Sequence, residues 1–410
     1  MYYIFLILAS LLGAFAAKDY TGYKVLRVTP PDESSFNYLH VLESQYDFWS
    51  ESRGVGYSAD IMVSEDYRGI LVSKLEERGF NIETMIDDIQ PLIDGQMNTR
   101  AQSGFSYDDY HTLDEIRQWM LDFTAENSDL VQMEQVGTTY EGRDIQKIKI
   151  SSDFSDTTRP IFFMIGGTHS REWVTPATMM AVAKRLVDES GTEGNLLELM
   201  DFHIVPVFNQ DGYHFTWTDD RMWRKTRSPN DASPCVGTDP NRNWDCQWGT
   251  GGSSNFECSA TYMGSKPASE IEIKNMQDHV SAIRDRVKVF MDVHAYSQYW
   301  MYPYGHSDVL LPADDDELRE ASKAAVDAVF SVHGKVYENG PIATVIYVAS
   351  GSSADWGYDV AGIKHSYALE LRDTGEWGFL LPPSQISDTA EEFFAGCAAL
   401  THYLRDHSGL

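Results

Sequence analysis

The sequence predicts an α/β fold for residues 101–410: a mixed, mostly buried sheet flanked by helices. A small α+β, ferredoxin-like unit precedes it. Three observations predict this. Strand-like runs alternate with helical patterns from Ser106 onward. One run, Ile161-Phe162-Phe163-Met164-Ile165, is apolar throughout, as a strand covered on both faces requires. Residues 18–100 separately read β-α-β-α-β, with room for a further strand near Asp47–Ser50.

In the N-terminal unit, Tyr23–Val28 is a short β-like run. Ser34–Tyr46 has helical spacing, with Phe36, Leu39 and Leu42 on one face. Gly56–Ser64 alternates as a strand. A second helix around Leu71 and Leu75 stops at Gly79, and Phe80–Ile89 alternates again. Asp94–Gly104 is polar, holds two glycines and contains Arg100, so it reads as an exposed linker open to a trypsin-like cut.

In the larger part, Asp114–Phe123 and Pro176–Glu189 read as helices, and Ile145–Ile150, Pro160–Ile165 and Phe202–Phe208 as strands. Val287–His294 is a strand, Asp315–Val332 a helix, Lys364–Leu371 a strand and Ala390–Arg405 the closing helix. Functional groups in such sheets gather at strand ends.

Composition narrows the function. The 410 residues are 42% hydrophobic and 12% aromatic, a globular composition. A formal charge of −30 argues against nucleic acid and against an anionic membrane surface, both of which need clustered Lys and Arg. The apolar run Tyr2–Leu12 leads into Ala14-Phe15-Ala16, a small-x-small cleavage pattern. Residues 1–17 therefore read as a secretory signal, and the mature protein as extracellular. Cysteines pair in such a compartment. Cys235 and Cys258 flank a Gly/Ser/Asn-rich loop and suit a local disulfide, whereas Cys246 and Cys397 read equally as a second bond or as two buried thiols.

The chemistry centres on the exit of the Ile161–Ile165 strand, where His169 and Glu172 are spaced H-x-x-E. An imidazole and a carboxylate on one turn can share an ion, and zinc takes such ligands at about 2.0–2.2 Å. The motif alone occurs often by chance. It gains weight here because His294 ends another buried strand and can complete a His₂Glu set. Glu370 is a lone acid in the apolar strand Tyr367–Leu371, where a carboxylate without a role would be costly.

With these residues in view, the chain resembles the zinc metallocarboxypeptidase family, in its pancreatic-type procarboxypeptidase form. The matching segments run in family order: Tyr110–Ile116, Thr168–Trp173, Arg221–Arg227, Asn241–Trp244, His294–Gln298, Tyr302–Gly305 and Glu370–Gly375. The resemblance implies that His169, Glu172 and His294 hold one Zn²⁺. It further implies that Asp239 orients a ligand imidazole, that Glu370 is the base and that Arg224 stabilises the oxyanion. Asn241 and Arg242 match a clamp for a free C-terminal carboxylate. Tyr347, Arg171, Phe379 and Tyr296 match substrate-cleft residues, although Arg171, beside the metal loop, suits a structural ion pair equally well. The partners so implied are peptide and protein substrates with a free C-terminus, the chain's own inhibitory pro-domain, and an activating trypsin-like protease. A non-catalytic binding module on the same fold would lack a ligand or the base, and both are present.

By spacing from Tyr347, the position that sets side-chain preference in the family is Ala354, which favours apolar or aromatic C-terminal residues. Strand alternation, however, puts Asp292 on the same face as His294, where the family has a small polar residue. An Asp292 carboxylate lining the pocket would favour Lys or Arg instead, and the alternative is an Asp hydrogen-bonded within the site.

Overall fold

A computed structural model describes residues 17–98 and 104–408. The signal-like stretch over residues 1–16, and Arg100 with it, lie outside the described residues.

The N-terminal unit runs β1 (Lys24–Thr29), α1 (Glu33–Leu42), β2 (Asp47–Ser50), β3 (Ala59–Val63), α2 (Glu65–Glu76) and β4 (Asn81–Ile86). Its strands pair in the order β2-β3-β1-β4, all antiparallel. Local chemistry sets the helix ends. Asp32 caps α1 by accepting from the Ser35 amide at 2.8 Å, and Gly79 closes the turn after α2 at φ +74°. The period of two divides the sheet into faces. Leu26, Val28, Phe48, Ile61 and Val63 pack under the two helices through Leu39, Leu42, Leu71 and Leu75. The alternate residues Val25, Trp49 and Met62 join the core of the larger domain instead. One face of this small sheet is thus built to lie on the rest of the molecule.

The expected linker is corrected in part. Asp94–Asn98 belongs to a helix, α3 (Gln90–Asn98). Ile93 is buried, and Gln96 is buried with its amide on the Leu381 carbonyl at 2.9 Å. Tertiary contacts, invisible in a polar composition, hold this segment down.

The larger domain runs α4 (Leu113–Glu126), β5 (Val131–Thr138), β6 (Asp144–Ile150), β7 (Ile161–Ile165), α5 (Val174–Asp188), β8 (Asp201–Val205), α6 (Gln210–Thr218), α7 (Ile271–Ile283), β9 (Val287–Ala295), β10 (Tyr299–Tyr302), α8 (Asp315–His333), β11 (Glu338–Pro341), α9 (Ile342–Val345), α10 (Ser353–Asp359), β12 (His365–Leu371) and α11 (Ile386–His407). The sheet has eight strands in the order β11-β10-β12-β9-β7-β8-β6-β5. It is mixed: β12, β9, β7 and β8 are mutually parallel, and β6 and β10 pair antiparallel to this centre. Side chains of β7 alternate between two cores. Phe162 and Met164 face the layer of α4, α5, α8 and α11, whereas Ile161, Phe163 and Ile165 face α7 and Trp356. Three parallel neighbours, β7, β9 and β12, end on one edge, and there the register sets Glu370 opposite His294. The functional groups expected from sequence therefore meet at the carboxyl ends of the central strands.

Candidate active site

The metal loop begins with Gly166-Gly167 at the end of β7. A Cβ on Gly166 would come within 2.8 Å of Met179 and 3.0 Å of the Pro206 carbonyl, and Gly167 sits at φ +65°, so both positions need glycine. This tight exit swings His169 and Glu172 back over the sheet just before α5. The three buried side chains converge. His169 Nδ1 lies 2.8 Å from Glu172 Oε1, His294 Nδ1 lies 3.2 Å from Glu172 Oε2, and the two Nδ1 atoms are 3.0 Å apart. The candidate ligand atoms all lie within 4.8 Å of one another. Two imidazole nitrogens turned towards each other beside a carboxylate are the donor set that zinc takes, so the residues fit the metal.

Asp239 organises the next layer. Asp239-Pro240-Asn241-Arg242 is a turn closed by the Arg242 amide on the Asp239 carbonyl, and the Asn241 amide bonds Asp239 Oδ1 at 2.8 Å. That oxygen also meets His169 Nε2 at 3.0 Å, while Oδ2 accepts from Arg224 Nη2 at 2.8 Å. Burial acts to raise this carboxyl, but the charges of Arg224, His169 and Arg242 hold it well below the usual carboxylate range.

Arg224, Asn241, Arg242, Tyr347 and Glu370 line one cavity with the three ligands. The Arg242 guanidinium is pinned by backbone carbonyls: Nε on Gly252 at 3.0 Å and Nη1 on Asn241 at 2.9 Å. Its remaining nitrogen, Nη2, stands 3.5 Å from the Tyr347 hydroxyl. Asn241 accepts from the Ser353 amide at 2.9 Å, which fixes its side chain. Burial first, then the Glu172 charge, pushes the Glu370 carboxyl well above its ordinary value.

The apolar part of the cavity wall is formed by Met301, Ile342, Ile346, Ala349 and Ala368. Ala354 is fully buried behind it, packed with Met301, Ile342 and Ala368. Of the two placements that sequence leaves open for Asp292, on the pocket wall or hydrogen-bonded within the site, the structure has the second. Asp292 is fully buried, with Oδ1 on Thr168 Oγ1 at 2.7 Å and Oδ2 on Ser353 Oγ at 2.6 Å and 3.2 Å from His294 Nε2. Strand alternation names the face correctly, but partners from distant segments turn the carboxylate behind His294.

The N-terminal unit occupies the mouth. Trp49 and Ser50 line the same cavity. Arg171 gives two 2.9 Å contacts to the Asp47 carboxylate and bonds the Phe48 carbonyl at 3.1 Å. The Tyr296 hydroxyl donates to Asp60 at 2.7 Å, and the rings of Trp49 and Phe379 are 5.0 Å apart. Three expected substrate-cleft residues, Arg171, Phe379 and Tyr296, are thus all engaged by this unit. Sequence reading missed Asp47, Trp49 and Asp60. Their signal is faint: polar or aromatic residues at alternate positions of strands whose other face is apolar.

A disulfide joins Cys235 and Cys258 and braces the loop whose Gly252 carbonyl holds Arg242. Cys246 and Cys397 are both buried free thiols in different cores, which settles the alternative left open by sequence.

Two imidazoles and a carboxylate aimed at one point, with the N-terminal unit lying over them, are the apparatus of a metallohydrolase. Comparison gives the class. The zinc carboxypeptidase pattern matches residues 116–396, the carboxypeptidase activation peptide matches residues 26–96, and the chain belongs to this family of zinc hydrolases. It is 40% identical to carboxypeptidase A2 of Rattus norvegicus over 419 residues, covering 98% of this chain and 99% of that protein. It is 38% identical to carboxypeptidase B of Bos taurus over 416 residues, with coverage of 98% and 99%. The crystal structure of thrombin activatable fibrinolysis inhibitor superposes with a TM-score of 0.87 at 32% identity, over 94% of this chain and 99% of that one.

Proposed function

We propose that this zinc carboxypeptidase is a secreted zymogen that removes single apolar or aromatic residues from peptide C-termini. Zinc held by His169, Glu172 and His294 would supply Lewis-acid chemistry, acidifying water and polarising a carbonyl. Glu370 takes the proton of the attacking water and returns it to the departing amine. Arg224 donates to the developing oxyanion. Arg242, with Asn241 and Tyr347, receives the terminal carboxylate, and pinning its guanidinium in advance spares the ordering cost on binding. The disulfide and the N-terminal apolar run support export. Cleavage near Arg100 by a trypsin-like protease would free the activation peptide.

One observation carries the preference for apolar residues: among the described residues lining the cavity, the carboxylates are Glu172 and Glu370, both in the catalytic cluster. With Asp292 turned away, a C-terminal Lys or Arg would enter an aliphatic pocket without a counter-charge. The test is a set of peptides varying only the last residue, run on trypsin-treated protein. Phe and Leu are expected to exceed Lys and Arg in kcat/KM by about 10²-fold or more, the cost of an unpaired buried charge. Amidating the C-terminus should abolish cleavage. Equal or better turnover of Lys and Arg would overturn the preference, and cleavage of the amide would overturn the exopeptidase assignment.

A further inference from the structure

We infer that Asp292 is a positioning residue for the metal centre, a second carboxylate that holds a ligand histidine and tightens zinc binding. The inference rests on the assignment of His169, Glu172 and His294 as the zinc ligands.

The geometry of the two histidines is parallel. Each turns Nδ1 inward to the shared point and presents Nε2 to a buried aspartate: His169 to Asp239 at 3.0 Å, His294 to Asp292 at 3.2 Å. A neutral imidazole that ligates through Nδ1 carries its proton on Nε2. That proton needs an acceptor. Asn241 Nδ2 also lies 3.2 Å from His294 Nε2, but it is itself a donor, so the carboxylate takes the proton. The Asn241 amide then remains for the cavity that it lines.

The remaining contacts of Asp292 show that it is held for this purpose. Its two oxygens are taken by Thr168, by Ser353 and by His294, and both side-chain hydroxyls donate. Thr168 directly precedes His169, and Ser353 opens α10. Asp292 therefore ties three segments together: its own strand β9, the metal loop and the helix against which Asn241 is fixed. Its side chain is fully buried and absent from the cavity wall, so a substrate side chain does not reach it. A carboxylate behind a ligand imidazole fixes the ring and raises its basicity, and losing such a partner typically costs about 10–100-fold in metal affinity.

The test uses the full chain and measures zinc affinity by chelator competition, together with the visible spectrum of the cobalt-substituted protein. Asp292→Ser is expected to weaken zinc binding by about 10–100-fold and to shift the cobalt bands. Asp292→Asn, which keeps the shape and loses the charge, should fall between Ser and the parent. Thr168→Val combined with Ser353→Ala leaves the carboxylate but frees it, and should also weaken zinc binding. A merely structural role would lower the melting temperature of the metal-free protein yet leave zinc affinity and the cobalt spectrum within about twofold of the parent, and that result overturns the inference. So does unchanged zinc affinity with a selective rise in KM for C-terminal Lys or Arg, which would return Asp292 to the substrate pocket. The ligand assignment is checked separately. If His294→Ala binds zinc as tightly as the parent protein, that assignment fails, and this inference with it.

Discussion

Glu370→Gln is expected to lower kcat of the activated enzyme by about 10²–10⁴-fold, the usual contribution of a positioned general base, while one zinc per chain is retained. The two halves of this outcome have separate causes. Glu370 lines the cavity, but the convergent donors are His169, Glu172 and His294, which touch one another without it. Glutamine fills the same space and cannot accept the proton. Stability should hold, because glutamine keeps the size and shape of the side chain that lines the cavity. Single-turnover rates with a Phe-terminated peptide, zinc analysis and a melting curve test all three points. A kcat within about fivefold of the parent, or loss of zinc from the variant, would remove Glu370 from its role.

Much of this site is legible in the sequence, for a physical reason. His169 and Glu370 each follow an apolar run, and His294 ends a strand interrupted only by Lys288 and Asp292; strands buried on both faces announce themselves by composition. Their parallel order then brings their ends together. The rest depends on contacts between distant segments. Strand alternation put Asp292 on the face of His294 but could not tell which way its carboxylate turns, because Thr168 and Ser353 lie 124 and 61 residues away in sequence. The last two strands at one end of the sheet, β10 and β11, are four residues each, too short to show a period, and Glu338–Pro341 carries Gly and Pro. Helix α3 was hidden by its polarity: Gln96 is buried because Arg221 and the Leu381 carbonyl both bond it. That the activation peptide covers the cleft with Asp47, Trp49 and Asp60 follows from which face of its sheet is left over once Leu26, Val28, Ile61 and Val63 have packed under their own helices.

The same surplus face makes latency adjustable, and Asp47→Ala is expected to loosen it strongly. Arg171 is 1% exposed, and its charge is met by Asp47 and the Phe48 carbonyl. Removing the carboxylate leaves a buried guanidinium short of its counter-ion, an outcome that costs about 3–5 kcal/mol in a dry site. Asp47 keeps about a quarter of its side chain in solvent, and this screening brings the penalty to or below the low end of that range. About 2–3 kcal/mol corresponds to a 30- to 150-fold weaker grip of the activation peptide once the chain is cut. Dissociation of the cut N-terminal segment from the catalytic domain, followed by recovery of peptidase activity on dilution, measures this directly. A dissociation constant within about twofold of the parent would show that the ion pair is not what holds the cover. Glu51 adds a pH dependence to the same contact. Chiefly through burial, and then through Glu43, its carboxyl is pushed up to about 7 in the docked state, despite Arg242 and Arg224 nearby. On release it returns to about 4.5, the ordinary value. The docked form therefore binds the extra proton. Through Glu51, docking gains at low pH, and this contribution falls as pH rises through the window from about 4.5 to 7 and is flat above it. Glu51→Gln should erase that slope while leaving the effect of Asp47→Ala in place, because one substitution removes a titrating charge and the other removes the counter-ion of Arg171.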